Sequence, residues 1–236
     1  MLADQPHRFA GRISDWILHK DNQVIAFNKP AGLLVQPDKS KDPSLLGLGA
    51  SYIRHDLYPI HRLDRPTSGL VLLGQKPSAQ AAISQQFKAG TVKKEYLAVV
   101  AERPEEEAGT LVQWISEGRN NRSVVSDDET PGARRAELDY RYLGSSERYH
   151  LLHVTLKTGR KHQIRAQLAA LGSPLRGDTK YGFKRSNPGG TIDLHSWKLA
   201  FDHPVSKQRI SLTAPVPDQP VWAAFHEIME ALDWMN

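Results

Sequence analysis

One carboxylate stands among arginines in "HRLDRPTSGL" at residues 61–70: Asp64, with His61 and Arg62 before it and Arg65 after. An aspartate before Arg-Pro reads first as a turn residue whose oxygens bond nearby backbone N–H groups. Its surroundings argue for more. The next run, "GLVLLG", is among the most apolar in the chain, and turns at the mouths of buried strands are where a scaffold holds reactive groups in place. Two arginines also bring more positive charge than one carboxylate requires. A second cluster, in "TGRKHQIR" at 158–165, gathers Arg160, Lys161, His162 and Arg165. Cations in the first turns of a helix oppose its macrodipole by about 0.3–1 kcal/mol each when exposed. A solvated basic face is the plain explanation, and a phosphate site at the helix N-terminus is the functional one. His162 and Arg165 are three apart and share a helix face, with Arg165 able to point back to a carboxylate. Tyr96 in "KKEYLAVV" says nothing alone, since a strand tyrosine is usually core with its hydroxyl bonded at the edge.

Absent patterns exclude other chemistry. A hydrolytic glycosidase wants a second placed carboxylate, and no strand mouth offers Asp64 an obvious partner. Ser68 lacks the G-x-S-x-G elbow. His150 and His153 are three apart on an expected strand, so they point to opposite faces and do not chelate one metal together. The ten histidines include no HExxH spacing, and there is no Walker-type or GxGxxG loop. No metal and no cofactor are expected.

The elements that must position these residues are legible in outline. "QVIAFN" (23–28) reads as a strand and "KPAGLLVQP" (29–37) as a turn and a second strand. "GLVLLG" (69–74) fits a strand buried on both faces. "PSAQAAISQQFKAG" (77–90) reads as a helix that starts at Pro77 or Ser78 and stops at Gly90. "KKEYLAVVA" (93–101) is strand-like. Residues 111–135 read as hairpin arms with a mobile loop near 126–132. "AELDYRYLG" (136–144) and "YHLLHVTLK" (149–157) read as paired strands. "TGRKHQIRAQLAALG" (158–172) is the clearest helix, with Ile164, Leu168 and Leu171 on one face and Gly172 as its stop. The tail at 218–235 is amphipathic, with Trp222, Phe225, Met229 and Leu232 on one side. Many strands, few helices and no regular βαβ alternation give an α+β fold with a largely antiparallel or mixed sheet.

Composition bounds the rest. The 236 residues are 39% hydrophobic and 24% charged, proportions of a globular chain with a substantial core. There is no cysteine, which excludes disulfides and thiolate metal sites and is compatible with a reducing cytoplasm. No window approaches the roughly 18 consecutive apolar residues of a spanning helix, so no membrane association is expected. "MLADQPHRFAGRISDW" lacks the apolar region of a secretory signal. A formal charge of +5 favours a polyanionic partner.

Taken together, "NKPAGLLVQP", "HRLDRPTSGLVLLG", "KKEYLAVV", "TGRKHQIRAQLAALGSPLRGDTKYG" and "LHSWKLAFDHP" resemble, in order, the motifs of the RluA-type RNA pseudouridine synthases. The similarity runs from about residue 22 to 216. It implies an enzyme that isomerises selected uridines in structured RNA, a tRNA or rRNA stem-loop, to pseudouridine without metal or cofactor. It also implies the family's mixed, mostly antiparallel sheet with flanking helices and a central catalytic cleft. Asp64 matches the family's essential aspartate, Tyr96 its active-site tyrosine, Arg165 the arginine paired with the aspartate, and Arg62 an arginine that helps displace the target base. His61, Arg65, Arg160, Lys161 and His162 are the expected substrate-binding residues beside Arg62. Many relatives begin with a small basic RNA-binding domain. With about twenty residues before "VIAFNKPAG", none is expected here, and residues 1–236 are expected to be a single catalytic domain, cytoplasmic and monomeric, without an obligate protein partner. Two rival readings remain at this point: a non-catalytic RNA-binding or RNA-chaperoning module, and a uridine-directed glycosidase that releases free uracil.

Overall fold

Strands follow the apolar alternation closely in the computed structural model, which describes residue 9 and residues 11–233. Ile17–Lys20 (β1) and Val24–Lys29 (β2) pair antiparallel. Helix α1 (Leu45–Ile53) begins at Ser44, whose Oγ accepts the Gly47 N–H and satisfies one free donor of the first turn. After the short β3 (Tyr58–Pro59) comes β4 (Ser68–Gly74), all seven residues buried, as its unbroken apolar run predicts. Helix α2 (Pro77–Ala89) has Pro77 in its first turn, where a missing N–H is harmless, and ends at Gly90 in the left-handed conformation at φ 74°. Then follow β5 (Lys93–Val100), β6 (Ala108–Glu117), β7 (Ser123–Ser126), β8 (Arg134–Ser145), β9 (His150–Leu156), α3 (Gln163–Ala170), β10 (Leu194–Asp202), β11 (Arg209–Thr213), α4 (Pro220–Ala223) and α5 (His226–Asp233).

The described strands form one sheet in the order β1-β2-β4-β10-β5-β9-β8-β6-β7, with β11 beside β10 and β3 beside β4. Every pairing is antiparallel except β4 with β10, so the expected mixed, mostly antiparallel sheet is what forms. That parallel contact explains the glycine of "TSGL". Gly69 has φ 107°, and a Cβ there would overlap the Ser196 backbone.

One layer of core joins Ile25, Phe27, Val71, Tyr96, Ala98 and Val154 to Ile164 and Leu168 of α3. Leu70, Leu72 and Ile83 form a second layer with Phe201, and Leu97, Val99 and Trp197 a third with Trp222, Phe225 and Leu232. Each such buried leucine contributes about 1.5–3 kcal/mol, so the sheet centre is the rigid part of the molecule. No helix among the described residues is long and apolar enough to cross a membrane.

Three expectations change. Residues 30–37 form no strand; Leu34 makes only an isolated bridge to Ser44, because the segment's backbone bonds go elsewhere, Gly32 N–H to the Arg65 carbonyl at 2.7 Å among them. The helix expected at 158–172 starts at Gln163. Residues before it are held in a turn: Gln163 Oε1 accepts from the Thr158 hydroxyl and the Arg160 N–H, while His162 adopts φ 52°. Arg160 and Lys161 therefore lie ahead of the helix and do not oppose its dipole from within. The tail is two short helices broken at Ala224, although Trp222, Phe225 and Leu232 are buried together as its periodicity predicts. Residues 234–235 of the expected tail helix lie outside the described residues.

Candidate active site

The chain between β3 and β4 is a short loop with its backbone tied on three sides. Thr67 N–H closes a turn on the Asp64 carbonyl at 3.1 Å, and Ile192 N–H reaches the Pro66 carbonyl at 3.2 Å. Beneath it, Lys29 at the end of β2 is fully buried, its Nζ donating to the carbonyls of Leu33 (2.9 Å), Pro30 (3.1 Å) and Arg65 (3.4 Å). Burial pulls this ammonium down to about 7, while the nearby charge of Asp64 works in the opposite direction. Three carbonyl acceptors match the three donors of a charged lysine and fix the loop to the sheet.

Two residues expected to meet substrate line the cavities and are also tied into this scaffold. His61 Nε2 accepts the Leu72 N–H at 2.9 Å, and the ring stacks on Phe87 at 4.9 Å. Burial, then Lys94, holds it down to about 4, so it stands as a neutral acceptor. Arg65 donates from Nε to the Gly32 carbonyl at 3.1 Å and pairs with Asp42 at 2.6 Å. The two arginines around Asp64 thus have different tasks. Arg62 alone is exposed, takes no partner among the described residues, and lies between two cavities of about 700 and 530 Å³.

Asp64 and Arg165 meet across 101 residues, with Arg165 Nη1 donating to Asp64 Oδ2 at 3.0 Å. The two-point fork of Arg165, however, goes to another carboxylate. Its Nε and Nη2 donate to Asp178 at 2.7 and 2.9 Å, and the Asp178 side chain is 1% exposed. Burial works against the guanidinium charge, yet the bonds and charge of Asp178, followed by Asp64, outweigh it and raise the pKa above that of an ordinary arginine. Asp64 Oδ1 has no partner among the described residues and its side chain remains 19% exposed. The site is a row: one enclosed carboxylate, one buried guanidinium, one open carboxylate.

His162 Nε2 stands 3.7 Å from Asp64 Oδ2. It belongs to the expected cationic cluster but carries little charge, because burial pushes it down to about 4, with Arg165, Lys180 and Lys161 acting the same way against Asp64. Tyr181, which sequence reasoning passed over, orients it. The Tyr181 oxygen accepts the Ser123 N–H at 2.7 Å and lies 2.9 Å from His162 Nδ1. The carboxylate of Asp64 on the Nε2 side favours the tautomer with the imidazole proton on Nε2, in which Nδ1 accepts the Tyr181 hydroxyl. Tyr96 is buried on β5, and its phenol is raised to about 12 by burial, with a Ser196 hydrogen bond opposing and the charge of Asp64 reinforcing the shift. It is a neutral phenol.

The larger cavity is bounded by Asp64, Tyr96, Arg165, Leu63, Ile164 and Leu194, with Arg160, Lys161 and Lys94 also on its walls. Arg160 keeps one donor on the Arg135 carbonyl at 2.9 Å, and Lys161 reaches Glu117 at 3.5 Å. Asp178, Tyr181, Lys29 and Lys94 are the site residues that sequence reasoning missed. The signal for Asp178 and Tyr181 was present in "GDTKYG", inside a motif already noted. Among the described residues no group of three or more His, Asp or Glu side chains is arranged to hold a metal ion.

The family model described as RNA pseudouridylate synthase matches residues 23–170. A tRNA pseudouridine synthase C of Haemophilus ducreyi is 34% identical over 86% of this chain and 91% of its own length. A ribosomal large subunit pseudouridine synthase D of Nitrosomonas europaea is 33% identical over 91% of this chain and 65% of its own. In fold, the solved structure of human RNA pseudouridylate synthase domain containing 4 superposes with a TM-score of 0.72 at 24% identity, covering 92% of this chain and 94% of that one. The match spans both strands that flank the aspartate loop and the helix that carries its arginine, and the chain belongs to the RNA pseudouridylate synthase family, enzymes that isomerise uridine in RNA to pseudouridine.

Proposed function

We propose that this enzyme acts on a uridine in a structured RNA, a tRNA or rRNA stem-loop, flipped into the 700 Å³ cavity, with Asp64 as the reacting carboxylate. The observation that carries the reading is the asymmetry of the two carboxylates. Asp64 lines the cavity and its Oδ1 has no partner among the described residues, whereas both oxygens of Asp178 are held by Arg165. A glycosidase needs its second carboxyl group for proton transfer to a leaving group or water. Asp178 is closed to that role, which favours isomerisation over hydrolysis. The reaction balances without a co-reactant: C1′–N1 breaks, C1′–C5 forms, the C5 proton is lost and N1 gains one. Asp64 acts at the sugar, as nucleophile at C1′ or as base. Leu63, Ile164 and Leu194 give the detached uracil apolar walls within which to turn. Relatives named for tRNA and for the large ribosomal subunit are similar to this chain to the same degree, 34% and 33% identical, which supports a structured stem-loop of either RNA as the substrate class. We further infer a cytoplasmic monomer, a location compatible with a chain that has no cysteine. Tritium release from RNA labelled at uridine C5 tests the reading, with tRNA and rRNA compared. Free uracil as the product would identify the glycosidase instead.

Tyr96 is a neutral hydrogen-bond partner to the turned ring in this scheme. Tyr96→Phe should lower the rate by roughly 100-fold, in the range of a lost proton-transfer partner. Stability should fall only by the share of one hydroxyl bond, about 0.5–1.5 kcal/mol. Kinetics equal to wild type would leave this tyrosine a core residue.

Arg62, exposed and lining both cavities, is the residue we propose fills the gap left by the flipped base. If so, Arg62→Ala should leave RNA affinity nearly unchanged and slow isomerisation, and a substrate with the target uridine already unstacked should recover part of the rate. If Arg62 only neutralises a phosphate, affinity and its salt slope fall instead, by about one counterion. An identical rate defect on stacked and pre-unstacked substrates rules the wedge out.

A further inference from the structure

Lys94 is a buried cation without a partner among the described residues. It projects from β5 into the larger cavity and is 8% exposed, yet it takes no hydrogen bond or ion pair among the described residues. The other two buried cations of the site are fully engaged, Lys29 by three carbonyls and Arg165 by two carboxylates. An ammonium withdrawn from water without a counter-charge destabilises a protein. Its nearest influence is also positive, because Arg160 adds to burial in holding its pKa below the ordinary value. Two cations lining one cavity, neither in an ion pair among the described residues, are complementary to an anion.

Spacing along β5 identifies which anion. Lys94 and Tyr96 are two apart, so both side chains leave the same face, with Cα atoms about 7 Å apart. Tyr96 feels the charge of Asp64, and Lys94 that of Arg160. Asp64, Tyr96, Lys94 and Arg160 all line one cavity, so a nucleotide whose sugar meets Asp64 there has a flanking phosphate among its cationic walls. Thr67, whose buried hydroxyl has no partner, lines the same cavity.

We propose that Lys94 and Arg160 form a phosphate subsite that grips the backbone beside the flipped uridine and so sets where its sugar meets Asp64. This rests on the RNA-modifying reading above. Lys94→Gln should lower the salt slope of RNA binding by about one and weaken binding roughly ten-fold or more, with Lys94→Arg recovering most of it. A neutral methylphosphonate at one of the two phosphates flanking the modified uridine should cause the same loss in protein carrying Lys94, and no further loss in Lys94→Gln. The melting temperature of Lys94→Gln should equal or exceed that of wild type, since an unpaired buried charge is removed. Losses that simply add at both phosphates would place Lys94 on the base instead and overturn the subsite. So would an unchanged salt slope, or a variant that melts well below wild type. Binding is read separately from turnover. Wild-type protein that binds RNA but releases no tritium defeats the isomerase reading and leaves the salt-slope result standing; failure to bind any RNA overturns both.

Discussion

Asp64→Asn should reduce pseudouridine formation by at least about a thousand-fold, the scale on which enzymes lose rate when a reacting side chain is removed. The substitution is nearly isosteric, and the amide oxygen can still accept from Arg165 Nη1, now at 3.0 Å from Oδ2. Arg165 also keeps its fork on Asp178, so the loop should hold its place. RNA affinity should stay within a few-fold, because the phosphate-facing residues are untouched. Tritium release and filter binding on the same preparation separate the two effects. Activity above a few per cent of wild type would remove Asp64 from the chemistry.

Arg165 should be the next most sensitive position, and for two reasons at once. Arg165→Ala leaves Asp178 buried without its partner, at about 3–5 kcal/mol for a broken buried pair. For a domain of this size that is a fall in melting temperature of roughly 6–20 °C. It also releases Asp64, so turnover should fall nearly as far as in Asp64→Asn. Arg165→Lys tests geometry apart from charge. A lysine has one nitrogen, whereas Arg165 presents Nε and Nη2 to one carboxylate and Nη1 to another. Its ammonium should retain much of the stability and little of the rate. Full activity in the lysine variant would show that the planar bridge between the two aspartates is not what the site uses.

What was readable from the chain alone depended on local signals. The unbroken apolar run at 69–74 marks a strand covered on both faces, and β4 is that strand. Pro77 and Gly90 bracket α2 because their backbone preferences act within one turn. Asp64 and Arg165 stood out by their neighbours, and the structure brings them to 3.0 Å. Local signals also misled where a distant contact prevailed. The helix pattern from 158 does not start until Gln163, because the Gln163 side chain captures the Thr158 hydroxyl and the Arg160 N–H, and its Nε2 donates to the Glu137 carbonyl. Residues 30–37 have strand composition, but their polar groups secure the aspartate loop.

The division of labour among the charged residues was decided by tertiary structure. By charge and position alone, Arg62 and Arg65 both flank Asp64, and only the family resemblance singles out Arg62. In the fold, Arg65 faces Gly32 and Asp42 while Arg62 faces open cavity, a difference set by loop 30–42 and invisible from residues 61–70. His162 reads as a cation beside Arg160 and Lys161, and burial makes it neutral. Asp178 reads as one acidic residue among many until Arg165 is seen to grip it from thirteen residues away. The residue types able to do the chemistry were determined by the sequence itself. Which of them react, which hold and which wait for substrate follows from desolvation and partner geometry, and those exist only once the sheet has assembled around the loop.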